Sequence, residues 1–504
     1  MPITIGIDIG TTTITALALD VAALPPRRAG GATSDAERGE VVASVTLAND
    51  ANATSPSDKT KGRSEWDARC MVEKAFDAVR EAVSKLGAKR SDVAGIGLTG
   101  QQHGVVIVDE RLQPITPFIN WQDRRGLDLA GGGQTYVARA AQRAGSGAPR
   151  RTGCALATGF MGITLFWMKE TGALPPKGKA CFVTDCLGAA LTGEAPLTDP
   201  TMGASSGLFH LSERRWDPDL LRGLGLPPAL FPEVREAGDR FGALTPEAAR
   251  LTGLAVGVPV FVGLGDNQAS FLGSVAALDD TVQVNVGTGG QVGRYTDRIH
   301  EAPPLETRPF PRGGYLLVEA GLCGGRSYAT LRRFFQQVVA QVLTASGEQD
   351  LYTAMNALAK AAPRGAGGLR CEPFFTGTRA EPGRRASWTN ISDENFTPAN
   401  MTRALLEGMA HAFHEGYRLI QTATKRPCAR LVGTGNGVRE NPVLAGIISE
   451  EFGLPLAVPA HREEAAYGAA LTAALGAGIF PDLAAAGQVI RYQPRTETVR
   501  GQQA

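Results

Sequence analysis

Isoleucine alternates with small or polar residues over Ile3-Thr4-Ile5-Gly6-Ile7-Asp8-Ile9. That period of two marks a half-buried strand. Gly10-Thr11-Thr12 follows as a tight turn, and Thr13 to Asp20 predicts a returning strand. Residues 21–40, rich in Pro, Gly, Arg and Ala, predict a loop that is long for a hairpin. Val41 to Leu47 predicts a third strand. The period then changes: Val72, Phe76, Val79, Val83 and Leu86 lie three or four apart and form one apolar helical stripe. Gly87 is placed to stop that helix. Strands are expected over Val93 to Leu98 and Val105 to Val108, with Gly100-Gln101-Gln102-His103-Gly104 between them. Residues 131–150, with Gly131-Gly132-Gly133, read as loop, and Gly162 to Lys169 reads as helix.

The second half opens on Val260-Phe261-Val262-Gly263-Leu264-Gly265-Asp266, and Val282-Gln283-Val284-Asn285-Val286-Gly287-Thr288-Gly289 follows. The latter echoes the N-terminal segment: an alternating strand, then a polar residue, an apolar residue, Gly and Thr. This weak repeat points to two domains of similar design, residues 1–262 and 263–504, with no flexible linker between them. Further on, Leu431-Val432 leads into Gly433-Thr434-Gly435-Asn436-Gly437. Asn441-Pro442 then starts a helix, Asn as cap and Pro in the first turn. A last helix, rich in Ala and Gly, is expected from about Glu463 to Leu475.

Composition narrows the class. The 504 residues suit two large domains, and 43% hydrophobic with 20% charged residues fits a soluble globular chain. A net charge of +1 supplies no field for nucleic acid or an anionic membrane. Short clusters such as Arg124-Arg125 and Arg384-Arg385 read as solvated surface. The seven cysteines include no Cys-x-x-Cys pair or zinc-type spacing, which points to free thiols in a reducing cytoplasm. Neither a signal peptide nor a spanning helix is expected.

The Gly-Thr turns carry the candidate chemistry. A triphosphate needs backbone N–H groups aimed at its oxygens, and glycine lets the backbone come close. Gly10-Thr11-Thr12 and Gly287-Thr288-Gly289-Gly290 offer this without the lysine of a Walker loop. Asp8 would repel phosphate unless a cation lay between them, and Mg2+ suits that place. Each turn alone also fits a plain hairpin. Gly433-Thr434-Gly435 is a third such turn, opening toward a helix. Asp266 suits a base that accepts a hydroxyl proton, and equally a helix cap. Gln101, His103, Trp121, Gln122 and Asp123 form two polar patches with an aromatic face, as a sugar site needs. Taken singly, His103 and Trp121 read as structural residues.

In this order the motifs resemble the FGGY carbohydrate kinase family over nearly the whole chain: Asp8-Ile9-Gly10-Thr11-Thr12, Thr99-Gly100-Gln101-Gln102-His103-Gly104, Trp121-Gln122-Asp123, Gly265-Asp266-Asn267-Gln268, Asn285-Val286-Gly287-Thr288-Gly289 and Gly433-Thr434-Gly435-Asn436. The resemblance implies two α/β domains of ribonuclease-H-like, or actin-like ATPase, fold around a central cleft. It implies ATP and Mg2+. By position it assigns Asp266 as catalytic base, and Asp8 and Asp266 to the metal. Gly10, Thr11, Thr12, Gly287 and Thr288 fall to phosphate. Gly433, Thr434, Gly435 and Asn441 fall to adenosine, and Gln101, His103, Trp121, Asp123 and Asn267 to the sugar. The partner it implies is a small sugar, not nucleic acid or membrane, and it leaves room for a homodimer. Ala386-Ser387-Trp388-Thr389-Asn390-Ile391-Ser392 and Thr402-Arg403-Ala404-Leu405 look closest to kinases of sedoheptulose, with xylulose kinases next. Gln102 stands where many pentulose kinases have Met, and Arg124-Arg125 where Gly-Arg is common. A sugar-independent ATPase of the same fold would share the first turn but lack the Gln-x-His and Gly-Asp-Asn-Gln motifs.

Overall fold

A computed structural model describes residues 2–21, 39–342, 350–378, 381 and 383–494. Most of the loop expected at 21–40 lies outside the described residues. The alternating segments form two mixed sheets of like design. In the first, Ile3–Ile9 pairs antiparallel with Thr13–Asp20, which pairs antiparallel with Val41–Ala48. On its other edge Ile3–Ile9 runs parallel to Val93–Gly100. In the second, Thr281–Val286 pairs antiparallel with Gly290–Thr296 and parallel with Arg430–Thr434. Tyr315–Leu322 and Glu306–Pro309 complete the antiparallel side. The sequence repeat is therefore a repeat of topology, and its two Gly-Thr turns sit at equivalent places.

The helix expected from the Val72–Leu86 stripe spans Ala68–Leu86, capped by Asp67, and its buried residues follow the stripe. Pro259–Phe261 and Leu264–Gly265 both pair with Val93–Gly100, so the first sheet runs two residues past the boundary expected at 263. One element ties the halves together. Glu464–Gly476, the last long helix, packs on Ile3–Ile9 and Val93–Gly100 and crosses the helix Asp266–Ser274. Backbone meets backbone there: a Cβ on Gly6 would lie 1.8 Å from the Ala466 carbonyl oxygen, and one on Gly97 1.9 Å from that of Ala469.

Two expectations are corrected. Residues 131–150 are not loop throughout: Tyr136–Ala144 is a helix capped by Thr135, and Ala148–Thr152 starts another. The three glycines at 131–133, all at positive φ, end before it, and the Ala- and Arg-rich run behind them favours helix. Arg125 is not surface: it is 3% exposed, bonded to Asp123 and Glu65, with its guanidinium over the Trp167 ring. Among the described residues, no helix is long and apolar enough to cross a membrane.

Candidate functional site

Asp8 is the next-to-last residue of its strand. Withdrawal from water pushes its carboxyl up to about 8, and the charges of Asp266 and Glu463 add to the shift. Its Oδ1 is buried without a hydrogen-bond partner among the described residues. An orphaned carboxylate oxygen among like charges is a place prepared for a cation. Among the described residues no cluster of three or more His, Cys, Asp or Glu could hold a metal unaided. That donor set suits a hard cation that takes its other ligands from phosphate and water.

The turn after Asp8 is closed by Gly10 N–H donating to Thr13 O at 2.9 Å. A Cβ on Gly10 would itself lie 2.9 Å from that oxygen, so the turn demands glycine. Asn49 braces it, its amide nitrogen donating to Gly10 O at 2.8 Å. Thr11 joins the turn to the next motif: its hydroxyl donates to Gln101 Oε1 at 3.2 Å and accepts from Trp121 Nε1 at 3.0 Å. Trp121 is 44% exposed, so the structural reading of Trp121 alone does not hold. Asn120 also donates to Gln101 Oε1, at 3.3 Å.

His103 adopts φ 76°, an uncommon conformation for a non-glycine residue. It stacks on Phe160 with centroids 4.4 Å apart, and its Nδ1 lies 2.7 Å from Ser205 O. A carbonyl only accepts, so Nδ1 carries the proton. Asp123 is placed differently from its companions. It is fully buried, and its oxygens accept from Ser64 N–H, Arg125 N–H and the Arg125 guanidinium. It shapes the loop behind Trp121 rather than presenting a carboxylate to the cleft.

Asp266 opens the helix Asp266–Ser274, and Gly265 takes the cap position that the sequence offered to Asp266. Burial pushes the Asp266 carboxyl up to about 6, against the pull of the Asn267 N–H and the Arg308 cation. Arg308 donates to Asn267 Oδ1 at 3.0 Å and to Glu306 at 2.6 Å. Gln102, His103, Phe160, Gln268, Glu306 and Arg308 line one small cavity, so both sheets contribute walls to the cleft.

The residues expected on the nucleotide side gather on the second sheet. Gly325 and Arg326, at the start of a 17-residue helix, donate backbone N–H to Gly287 O at 2.8 Å and Thr288 O at 3.1 Å. Asn285 pairs with Thr434 across the parallel ladder, which brings the second and third Gly-Thr turns side by side. Gly435 has φ 80°, and a Cβ there would meet Val286 O at 2.6 Å. Beside them is a cavity of about 530 Å³ lined by Thr288, Tyr328, Asn356, Met409, Asn436 and Asn441. Tyr328 donates to Asn356 Oδ1 at 2.7 Å, and Asn441 caps its helix through Leu444 N–H at 3.0 Å. Gly433 lies in the strand below, and the Thr434 hydroxyl is buried without a partner among the described residues.

Residues 31–273 match the N-terminal domain of the FGGY family of carbohydrate kinases, and residues 282–477 match its C-terminal domain. The chain belongs to the FGGY family. This FGGY kinase is 28% identical to the sedoheptulokinase of Mus musculus over 495 residues, 93% of this chain and 97% of that one. It is 29% identical to the glycerol kinase of Thermus brockianus over 430 residues, 83% of this chain and 82% of that one. The crystal structure of xylulose kinase from Rhodospirillum rubrum superimposes with a TM-score of 0.79 at 25% identity, covering 98% of this chain and 93% of that one. The chain is thus a carbohydrate kinase, and kinases of its family use ATP. Arg308, Tyr328 and Asn356 were not among the residues singled out by sequence. Tyr328 carried one weak signal, its place just beyond Gly324-Gly325 at the end of an alternating strand.

Proposed function

We propose that this kinase transfers the γ-phosphoryl group of ATP to a primary hydroxyl of a ketose, with sedoheptulose, giving sedoheptulose 7-phosphate, as its substrate. One observation carries the chemistry: Asp266 follows Gly265, which pairs with Gly100 at the start of the loop that carries His103, and its carboxyl, pushed up to about 6, acts by its charge on Asp8. A carboxylate near neutrality is suited to take a proton and to release it again. The sedoheptulokinase match over 97% of that protein supports the choice of sugar.

In this reading the sugar lies against Gln101, His103, Trp121 and Asn267, its reacting hydroxyl toward Asp266. Asp266 accepts the hydroxyl proton as the new P–O bond forms and the bond from the γ-phosphorus to the bridging oxygen breaks, releasing ADP. Thr11, Thr12 and the backbone of Gly10 bond the phosphates from one side, and Gly287 and Thr288 from the other. Gly433, Thr434, Gly435 and Asn441 border adenosine, with Tyr328 and Asn356 closing its cavity. Asp8 and Asp266 would hold Mg2+, which neutralises phosphate charge when bound. Closure of the halves excludes water, which would otherwise accept the phosphoryl group. Asp266→Asn tests the assignment. Turnover should fall by roughly 10²–10⁴-fold while ADP affinity stays near that of the wild type. Near-normal turnover would remove Asp266 from the mechanism.

A further inference from the structure

The short helix Pro200–Ser205 takes no part in the chemistry above, yet it touches both the sugar-side loop and the segment that carries Asp266. Its start is held by Asp199, which is 1% exposed. Asp199 accepts the Met202 N–H at 2.9 Å, the Thr201 N–H at 3.0 Å and the Thr201 hydroxyl at 2.8 Å. Thr201 then acts in two directions. Its Oγ1 accepts the N–H of Gly265 at 2.7 Å, and its carbonyl accepts from Gln102 Nε2 at 3.0 Å. One turn later Ser205 holds His103, its hydroxyl accepting the His103 N–H at 3.1 Å and its carbonyl facing Nδ1.

The polarity of this chain is fixed by its ends. The Gly265 N–H only donates, so Thr201 Oγ1 must accept there and pass its own proton toward Asp199. Asp199, Thr201, Gly265, Gln102 and Ser205 are buried, so a missing partner there has no water to replace it. There is also no slack, because a Cβ on Gly265 would fall 2.3 Å from Gln102 Nε2. The Gln102 amide is therefore held between Gly265 and the Thr201 carbonyl. Gly265 is the residue before Asp266.

We propose that Thr201 is a positioning residue, whose hydroxyl fixes the base Asp266 at one distance from the Gln102-His103 loop. This rests on the reading of Asp266 as the base. Reacting atoms must meet within a few tenths of an ångström of their productive separation, and about 1 Å of misplacement can cost on the order of 10²-fold in rate. Valine keeps the shape of Thr201 and removes the acceptor, whereas serine keeps the acceptor and removes a methyl group.

The test compares Thr201→Val with Thr201→Ser in kcat, in KM for ATP and for sugar, and in melting temperature. Valine should lower kcat by roughly 10–100-fold and leave KM for ATP within about twofold. Serine should stay within about threefold of wild-type kcat. The proposal is overturned if valine keeps wild-type kcat, if serine is as impaired as valine, or if kcat and ATP affinity fall together with the melting temperature. Should the valine variant not fold, Thr201→Ala must lie at least about tenfold below Thr201→Ser in kcat, and equality would overturn the proposal. Asp266→Asn in the same assay separates the two readings. Near-normal turnover there removes the base itself, whereas an inactive Asp266→Asn beside an unimpaired Thr201→Val removes only the positioning.

Discussion

Alanine at Gly468 sets two rules against each other. Within a helix, Gly→Ala ordinarily stabilises by about 1 kcal/mol. Gly468 lies inside Glu464–Gly476, where propensity alone predicts a gain. At this position, however, the helix crosses Asp266–Ser274 backbone to backbone. A Cβ on Gly468 would lie 2.0 Å from the Ala269 carbonyl oxygen, and one on Gly273 would lie 2.1 Å from the Glu464 carbonyl oxygen in return. Ordinary contact begins near 3.4 Å, so the helices would have to part by roughly 1.4 Å. No side chain can rotate away, because the obstacle is backbone. Overpacking of this kind costs about 3 kcal/mol, which leaves a net loss of about 2 kcal/mol. Gly446, inside the helix Pro442–Phe452, is the control, since a Cβ there meets nothing within 4 Å. Urea unfolding followed by tryptophan fluorescence should move the midpoint down for Gly468→Ala and up for Gly446→Ala. Gly468→Ala should also lose turnover, because Ala269 lies one helical turn from Asp266. A Gly468→Ala protein as stable as the wild type would refute the close crossing.

Two further outcomes follow from the site. Because Asp8 is pushed up to about 8, the folded chain keeps between about pH 4 and 8 a proton that the unfolded chain releases, so stability falls as pH rises through that window. Without metal or nucleotide, Asp8→Asn should therefore gain on the wild type from nothing near pH 4 to about 1–2 kcal/mol above pH 8, after allowance for cleft water, in melting scans with a chelator present. A gap that does not change with pH would contradict it. Tyr328→Ala opens the cavity proposed for adenosine and should weaken ADP binding about tenfold by calorimetry, with KM for sugar unchanged.

Much of this arrangement was legible in the sequence because it is written in short-range patterns. Alternation over Ile3–Ile9 and Thr281–Val286 marked the two central strands, and the Gly-Thr turns behind them fell where expected. The spacing from Val72 to Leu86 marked the helix, although its first turn, from Ala68 behind the cap Asp67, lies before the stripe. What escaped was decided by distant partners. Arg125 looks like any surface arginine until Asp123, Glu65 and Trp167 surround it. Asp123 looked like a sugar ligand for the same reason, since its carboxylate is spent on that arginine. Arg308 lies 41 residues from Asn267, and no local pattern pairs them. The glycines at 6, 97, 273 and 468 mark close approach, yet without the fold each reads as an ordinary break in a pattern.

ADP release by the purified chain with Mg2+-ATP, measured with and without sedoheptulose, xylulose, ribulose, fructose or glycerol, tests the central claim most directly. The account predicts slow release without sugar and strong stimulation by a ketose, sedoheptulose foremost. Release that ignores the sugar, or a strong preference for glycerol, would contradict it.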